Sequence, residues 1–148
     1  MSAVYTEITL RNSCDEAIAA EGLLKNQEIR QITVKALADK SAWTLVINEA
    51  IRQQLGLRKM ETKTGTLADG SITEYCMAGP VKVIWKNRNT NCDAIVLPEA
   101  DDILLGAIPL EAMDLIVHPR EEIVVGAHGD EELHKIKRHM MPVTTLYS

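Results

Sequence analysis

Apolar and polar positions alternate with a period of two through much of the chain, and that period predicts strands. Residues 5–10 (YTEITL) alternate β-branched and polar side chains, and Arg11-Asn12-Ser13 is expected to break the run. Residues 14–21 fit either a loop or one or two helical turns that stop at Gly22. Within 28–39, Ile32, Val34, Ala36 and Ala38 fall on one face and Thr33, Lys35 and Leu37 on the other. This is the pattern of a half-buried strand, and it ends at Asp39. Residues 41–47 (SAWTLVI) read as another strand. Asn48 is placed to cap a short helix, EAIRQQL, with Gly56 at its C-terminal end and Ile51 and Leu55 on its inner side.

The second half continues in short pieces. Residues 62–76 hold Ala68-Asp69-Gly70-Ser71 between two strand-like arms, and an Asp-Gly pair in that setting predicts a hairpin. Gly79-Pro80 is expected to break the chain before a strand at 81–85, a polar turn at 86–91 and a strand at 92–97 bounded by Pro98. Ile103-Leu104-Leu105-Gly106 leads into a short helix at 109–113, and 115–117 and 122–125 are the last strands. Residues 130–140 (DEELHKIKRHM) suit a helix, acid first and basic last. Many short strands and two or three short helices give a mainly-β barrel or sandwich, without the long helices of a parallel α/β fold. The expected core strands carry Val34, Ala36, Leu45, Ile47, Val83, Ile95, Leu97, Leu104 and Leu105.

Composition narrows the function classes. The 148 residues suffice for one domain, placed at 1–129, with 130–148 as a helical or interface tail. Sixteen basic against twenty-one acidic residues leave a net charge of −5, the wrong sign for neutralising phosphates. Five aromatics with no Phe offer few base-stacking platforms, so no nucleic-acid partner is expected. Cys14, Cys76 and Cys92 have no C-x-x-C spacing and read as reduced, buried small hydrophobes. The longest apolar run, residues 103–110, contains Gly106 and Pro109 and is far short of the roughly 20 residues of a spanning helix. No membrane partner or export signal is expected, and the cytoplasm is the default compartment.

The stretch Ala36-Leu37-Ala38-Asp39-Lys40-Ser41-Ala42, followed by LVINEAIRQQLGL, resembles the catalytic segment of retroviral-type (retropepsin-like) aspartic peptidases and their bacterial and archaeal relatives. In that family a strand delivers A-L-V-D-[TS]-G-A, followed by a strand, a short helix and an L-G-L closure. Thr66-Leu67-Ala68-Asp69-Gly70-Ser71 is similar to the family's flap hairpin. Ile95-Val96-Leu97-Pro98, Leu104-Leu105-Gly106 and Ile108-Pro109-Leu110-Glu111 resemble the elements that close its barrel, and Asp114-Leu115-Ile116-Val117-His118-Pro119 its L-V-V-D-P ending. The resemblance implies a retropepsin-like acid protease barrel acting as a homodimer. Each chain would supply one catalytic aspartate, Asp39, to a shared cleft. Lys40, Ser41 and Ala42 would floor that cleft and Ala68, Asp69, Gly70 and Ser71 would roof it, around a peptide or unfolded-protein substrate. No cofactor or metal is implied. Two close carboxylates share one proton; the ionised member activates a water and the protonated member polarises the scissile carbonyl.

Two residues depart from the pattern: D-[TS]-G is here Asp39-Lys40-Ser41. Lys40 donates hydrogen bonds and accepts none, so it cannot replace the family's inter-chain hydroxyl grip. An ammonium beside a carboxylate pair also favours the doubly ionised form, unless its long stem carries it to solvent. Ser41 puts a Cβ and a hydroxyl where the family has glycine. Both changes are expected to impair hydrolysis. The alternative is therefore a catalytically inactive member, acting as a peptide- or protein-binding or structural dimer module.

Other constellations have plainer readings. Ser41 beside Lys40 suggests a Ser–Lys nucleophile, but strand neighbours face opposite ways. His128, His134 and His139 lack ligand spacing and fit a solvated helix better than a metal site. Asp101-Asp102 reads as an exposed acidic turn. Trp43 and Trp85 read as partly core, with a place in a peptide groove open to one of them.

Overall fold

The structure, a computed structural model, describes residues 3–128. It is mainly β and contains a closed six-stranded barrel. In chain order the elements are β1 (Tyr5–Asn12), α1 (Ser13–Ala20), β2 (Gln31–Ala38), β3 (Leu45–Ile47), α2 (Glu49–Leu55), β4 (Arg58–Thr66), β5 (Ile72–Trp85), β6 (Arg88–Val96), β7 (Ile103–Leu105), α3 (Ala107–Ala112), β8 (Leu115–His118) and β9 (Ile123–Gly126). The sheet runs β1-β2-β7-β3-β6-β5, and β1 pairs with β5 to close it. β4 lies outside the closure, paired to the outer part of β5 as a long hairpin. β8 and β9 form a separate two-stranded ribbon.

The period-two reading of β2 holds: Ala36 and Ala38 are buried, and Ile32 and Val34 pack against the same core. Expected core residues Leu45, Ile47, Val83 and Leu105 are in that cluster, around the fully buried Leu10, Leu55, Leu110 and Met113. Ile95, Leu97 and Leu104 belong instead to a second, smaller cluster, in which Leu97 and Leu104 with Ala42 and Tyr75 pack against Val46, Met77 and Ile95. Strands β3 and β6 thus bury both faces: Leu45 and Ile47 look into the barrel while Val46 looks out at this second cluster. α2 forms as its sequence predicts. The Asn48 side chain accepts from the Ile51 amide at 2.9 Å, Gly56 closes the helix at φ 62°, and Ile51 and Leu55 are buried.

Several expectations are corrected. β1 does not break at residue 11; it runs to Asn12, whose side chain caps α1 by accepting from the Asp15 amide at 3.0 Å. Gly79-Pro80 does not end a strand. β5 passes through it, and the register with β6 shifts between Ala78 and Val81, so the missing proline N–H falls where the ladder is already interrupted. The expected polar turn at 86–91 shrinks to Lys86 and Asn87, because β6 starts at Arg88. Cys14 is exposed, and Cys76 and Cys92 are partly buried. Trp85 is core, its indole N–H donating to Thr6 Oγ1 at 2.9 Å, whereas Trp43 is 47% exposed. The helix expected at 130–140 and the tail from 130 to 148 lie outside the described residues. No helix among the described residues is long and apolar enough to cross a membrane.

Candidate active site

β7 threads between β2 and β3, which are consecutive in sequence. It runs parallel to β2 (Leu37 opposite Leu104) and antiparallel to β3 (Val46 opposite Leu104). The chain leaving β2 must therefore loop over the end of β7 before returning as β3. Asp39 to Thr44 make that loop. The Asp39 amide donates to the Leu105 carbonyl at 3.0 Å, and the Ala42 amide to the Asp39 carbonyl at 3.2 Å.

The loop is held from its far side by the start of α3. The Ala107 amide donates to the Ala42 carbonyl at 2.7 Å and the Ile108 amide to the Trp43 carbonyl at 3.0 Å. The first amides of a helix have no partner within it, and here the loop carbonyls satisfy two of them. This is why the strand expected over 41–47 is reduced to Leu45–Ile47: its first backbone groups bond to α3 instead of to a ladder. Gly106 sits at the crossing, packed directly against the backbone of Ala42 and Thr44. The Thr44 hydroxyl, buried, donates to the Asp93 carbonyl of β6 at 3.0 Å.

Within the loop, Asp39 Oδ1 accepts two hydrogen bonds from Ser41, from the amide at 2.9 Å and from the hydroxyl at 2.5 Å. Among the described residues no side chain bonds Oδ2. Lys40 is exposed and makes no ion pair with the carboxylate, so its charge stands in solvent. Asp39, Lys40 and Ser41 line a cleft of about 540 Å³ whose other walls are Ala3, Val4, Leu37, Ala38, Val117 and Pro119. The Ala38 amide donates to the Val4 carbonyl at 2.8 Å, which ties Val4 to this wall.

The hairpin expected to roof the site forms, with Ala68-Asp69-Gly70-Ser71 at its tip. Asp69 repeats the Asp39 arrangement: Oδ1 accepts from the Ser71 amide at 2.9 Å and from its hydroxyl at 2.6 Å. Those bonds hold the Asp69 carboxyl below its usual range. The hairpin tip does not line the Asp39 cleft. Its flank meets a second cleft of about 510 Å³, formed by Leu67, Thr73 and Glu74 with Leu97, Pro98, Glu99 and Ala100. The Asp39 loop and the hairpin are linked through the smaller apolar cluster, where Ala42 from one and Tyr75 from the other pack on Val46, Met77 and Ile95. A third cleft, of about 300 Å³, is lined by Trp43, Met60, Met77 and Ile108 among others.

Sequence patterns alone did not single out Ala3, Val4 and Leu37 as walls of the cleft, because the first two come from the start of the chain and only tertiary packing brings them to residue 39. Val117 and Pro119 lie in the 114–119 stretch already noted, but nothing local marks them as lining. His128 Nδ1 lies 2.6 Å from Asp114 Oδ2, an exposed contact. No group of three or more His, Cys, Asp or Glu side chains among the described residues is arranged to hold a metal ion. The chain matches no protein-family model and no curated protein in sequence.

Proposed function

We propose that this chain is half of a retropepsin-like aspartic endopeptidase, a homodimer in which two copies of Asp39 share a proton and activate the water that attacks a peptide bond. The observation that carries this reading is the clasp on Asp39. Asp39 stands at a strand end, in a loop whose backbone is held by β7 on one side and by α3 on the other, and it lines an apolar-walled cleft. The order of D-K-S-A, the Asp-Gly hairpin, L-L-G and the I-P-L-E helix along the chain supports it further. A lone carboxylate cannot be acid and base at once, so the second copy is a chemical requirement of this mechanism. An extended substrate would be held by main-chain hydrogen bonds, with side-chain clefts giving specificity.

The Ser41 hydroxyl favours a second reading. It occupies Asp39 Oδ1 at 2.5 Å and adds bulk where peptide must approach. On that reading the chain is an inactive relative that binds peptide or protein, or pairs with its own copy, without hydrolysis. Incubation with unfolded protein at acid and neutral pH separates the two. Cleavage that disappears in Asp39→Asn is the outcome expected of the peptidase. Lys40→Thr combined with Ser41→Gly is expected to raise the rate by at least about tenfold, the scale on which small misplacements cost rate. No cleavage by either form leaves the binding module.

A further inference from the structure

We propose that the cleft between the hairpin and the 97–100 turn is a subsite for a lysine or arginine side chain of an extended peptide. This rests on the reading of the chain as one that holds peptides, whether or not it cleaves them. The floor and walls are apolar: Leu67 from the hairpin, and Leu97, Pro98 and Ala100 from the turn. The polar lining is Thr73 and two carboxylates, Glu74 on one side and Glu99 on the other. Among the described residues neither carboxylate has a hydrogen-bond or ion-pair partner.

The charge around the cleft has one sign. Residues 66–74 and 97–102, the two segments that bound it, carry Asp69, Glu74, Glu99, Asp101 and Asp102 and no Lys or Arg. Asp69 is bonded to Ser71, and Asp102 accepts from the Tyr5 hydroxyl at 3.3 Å. Lys63, on the neighbouring strand, lines the Trp43 cleft instead and pairs with Glu61 at 3.4 Å. Glu74 and Glu99 are thus the free charges facing this space.

Glu74 and Glu99 are both exposed at the rim, so an apolar side chain would gain nothing from them and an acidic one would be repelled. Lysine and arginine answer both features. Their methylene stems cover apolar surface while the charged head stays at the rim. Arginine can in addition fork onto one carboxylate.

The test uses Asp39→Asn chain, so that binding is read without turnover. Two fluorescent dodecapeptides differ only in that every lysine of one is norleucine in the other, and affinity is measured by anisotropy. The lysine peptide is expected to bind about fivefold more tightly, the scale of two partly exposed ion pairs. That ratio should fall on raising salt from 50 to 500 mM, roughly a threefold cut in Debye length. Adding Glu74→Gln and Glu99→Gln should bring it to about one. Adding Glu111→Gln and Glu121→Gln, which remove two exposed carboxylates elsewhere, should leave it unchanged. Equal affinities in the parent, no binding of either peptide, or an equal loss in the Glu111/Glu121 control would each overturn the subsite. If the unaltered chain cleaves nothing while the lysine preference stands, the peptidase reading fails and the subsite survives. If it cleaves unfolded protein with no preference for nearby basic residues, the reverse holds.

Discussion

A Cβ built on Gly106 would lie 2.2 Å from the Thr44 carbonyl oxygen, 2.5 Å from that of Ala42 and 2.8 Å from the Thr44 amide nitrogen. All three atoms are backbone in the loop that holds Asp39, so no rotamer change relieves the clash. Gly106→Ala is expected to cost about 3 kcal/mol in urea unfolding, at the high end for overpacking; a loss below about 1 kcal/mol would mean that the loop moves easily. A second residue-scale effect is electrostatic. Glu49 in the first turn of α2 accepts from Arg52 at 2.6 and 2.8 Å and from Gln53 at 2.9 Å, and these bonds hold its carboxyl at about 2, below the usual 4.5. The fold therefore favours the ionised form. The stabilisation is complete above pH 4.5 and is lost as pH falls from there toward 2. Solvent screening of this partly exposed pair limits it to about 1 kcal/mol. Comparing wild type with Glu49→Gln by denaturant unfolding should show a stability gap at pH 6 that closes by pH 2, and a gap independent of pH would refute the assignment.

The hairpin of β4 and β5 shows how one element serves two structures. The inner half of β5 is barrel wall, bonded to β1 and β6, and Val81, Val83 and Trp85 are buried. Its outer half leaves the barrel with β4, a strand exposed over almost its whole length. With little apolar surface to hold it, β4 should open locally at low free energy. Hydrogen exchange is expected to exceed that of the inner β5 amides by at least about a hundredfold in the 60–66 and 72–75 segments, and equal protection would show that the hairpin is anchored. At this scale local patterns were informative in β2 and α2. Ile32, Val34, Ala36 and Ala38 mark β2, and Asn48 and Gly56 bracket α2, because burial and capping there follow from spacing alone. Patterns failed where the partner was distant in sequence. Arg88 looks like turn material, yet it is 3% exposed, with its guanidinium donating to the Met113 and Asp114 carbonyls at 2.9 and 3.0 Å. The Asp39 loop was readable as a motif, but its clasp by α3 was not, since nothing in SAWT announces that its carbonyls will serve a helix some 65 residues later.

At the scale of the molecule, the barrel, the Asp39 loop and the hairpin fit within one chain, but the proposed chemistry does not. One chain presents one Asp39, in a cleft whose walls come partly from Ala3 and Val4 and from β8. If two copies close that cleft about a two-fold axis, hydrolysis depends on both carboxylates and hence on the square of the intact chain fraction. Wild type mixed with an equal amount of Asp39→Asn, unfolded together and refolded, should retain about a quarter of the activity of the same total of wild type, because mixed dimers lack one partner of the shared proton. An independent active chain would retain about half. Dilution provides the second arm: specific activity should fall once the concentration drops below that at which sedimentation shows the mass going from twice 16.4 kDa to 16.4 kDa. Half activity in the mixture, together with specific activity constant on dilution, would place the whole reaction within a single barrel and remove the reason for pairing Asp39 with its copy.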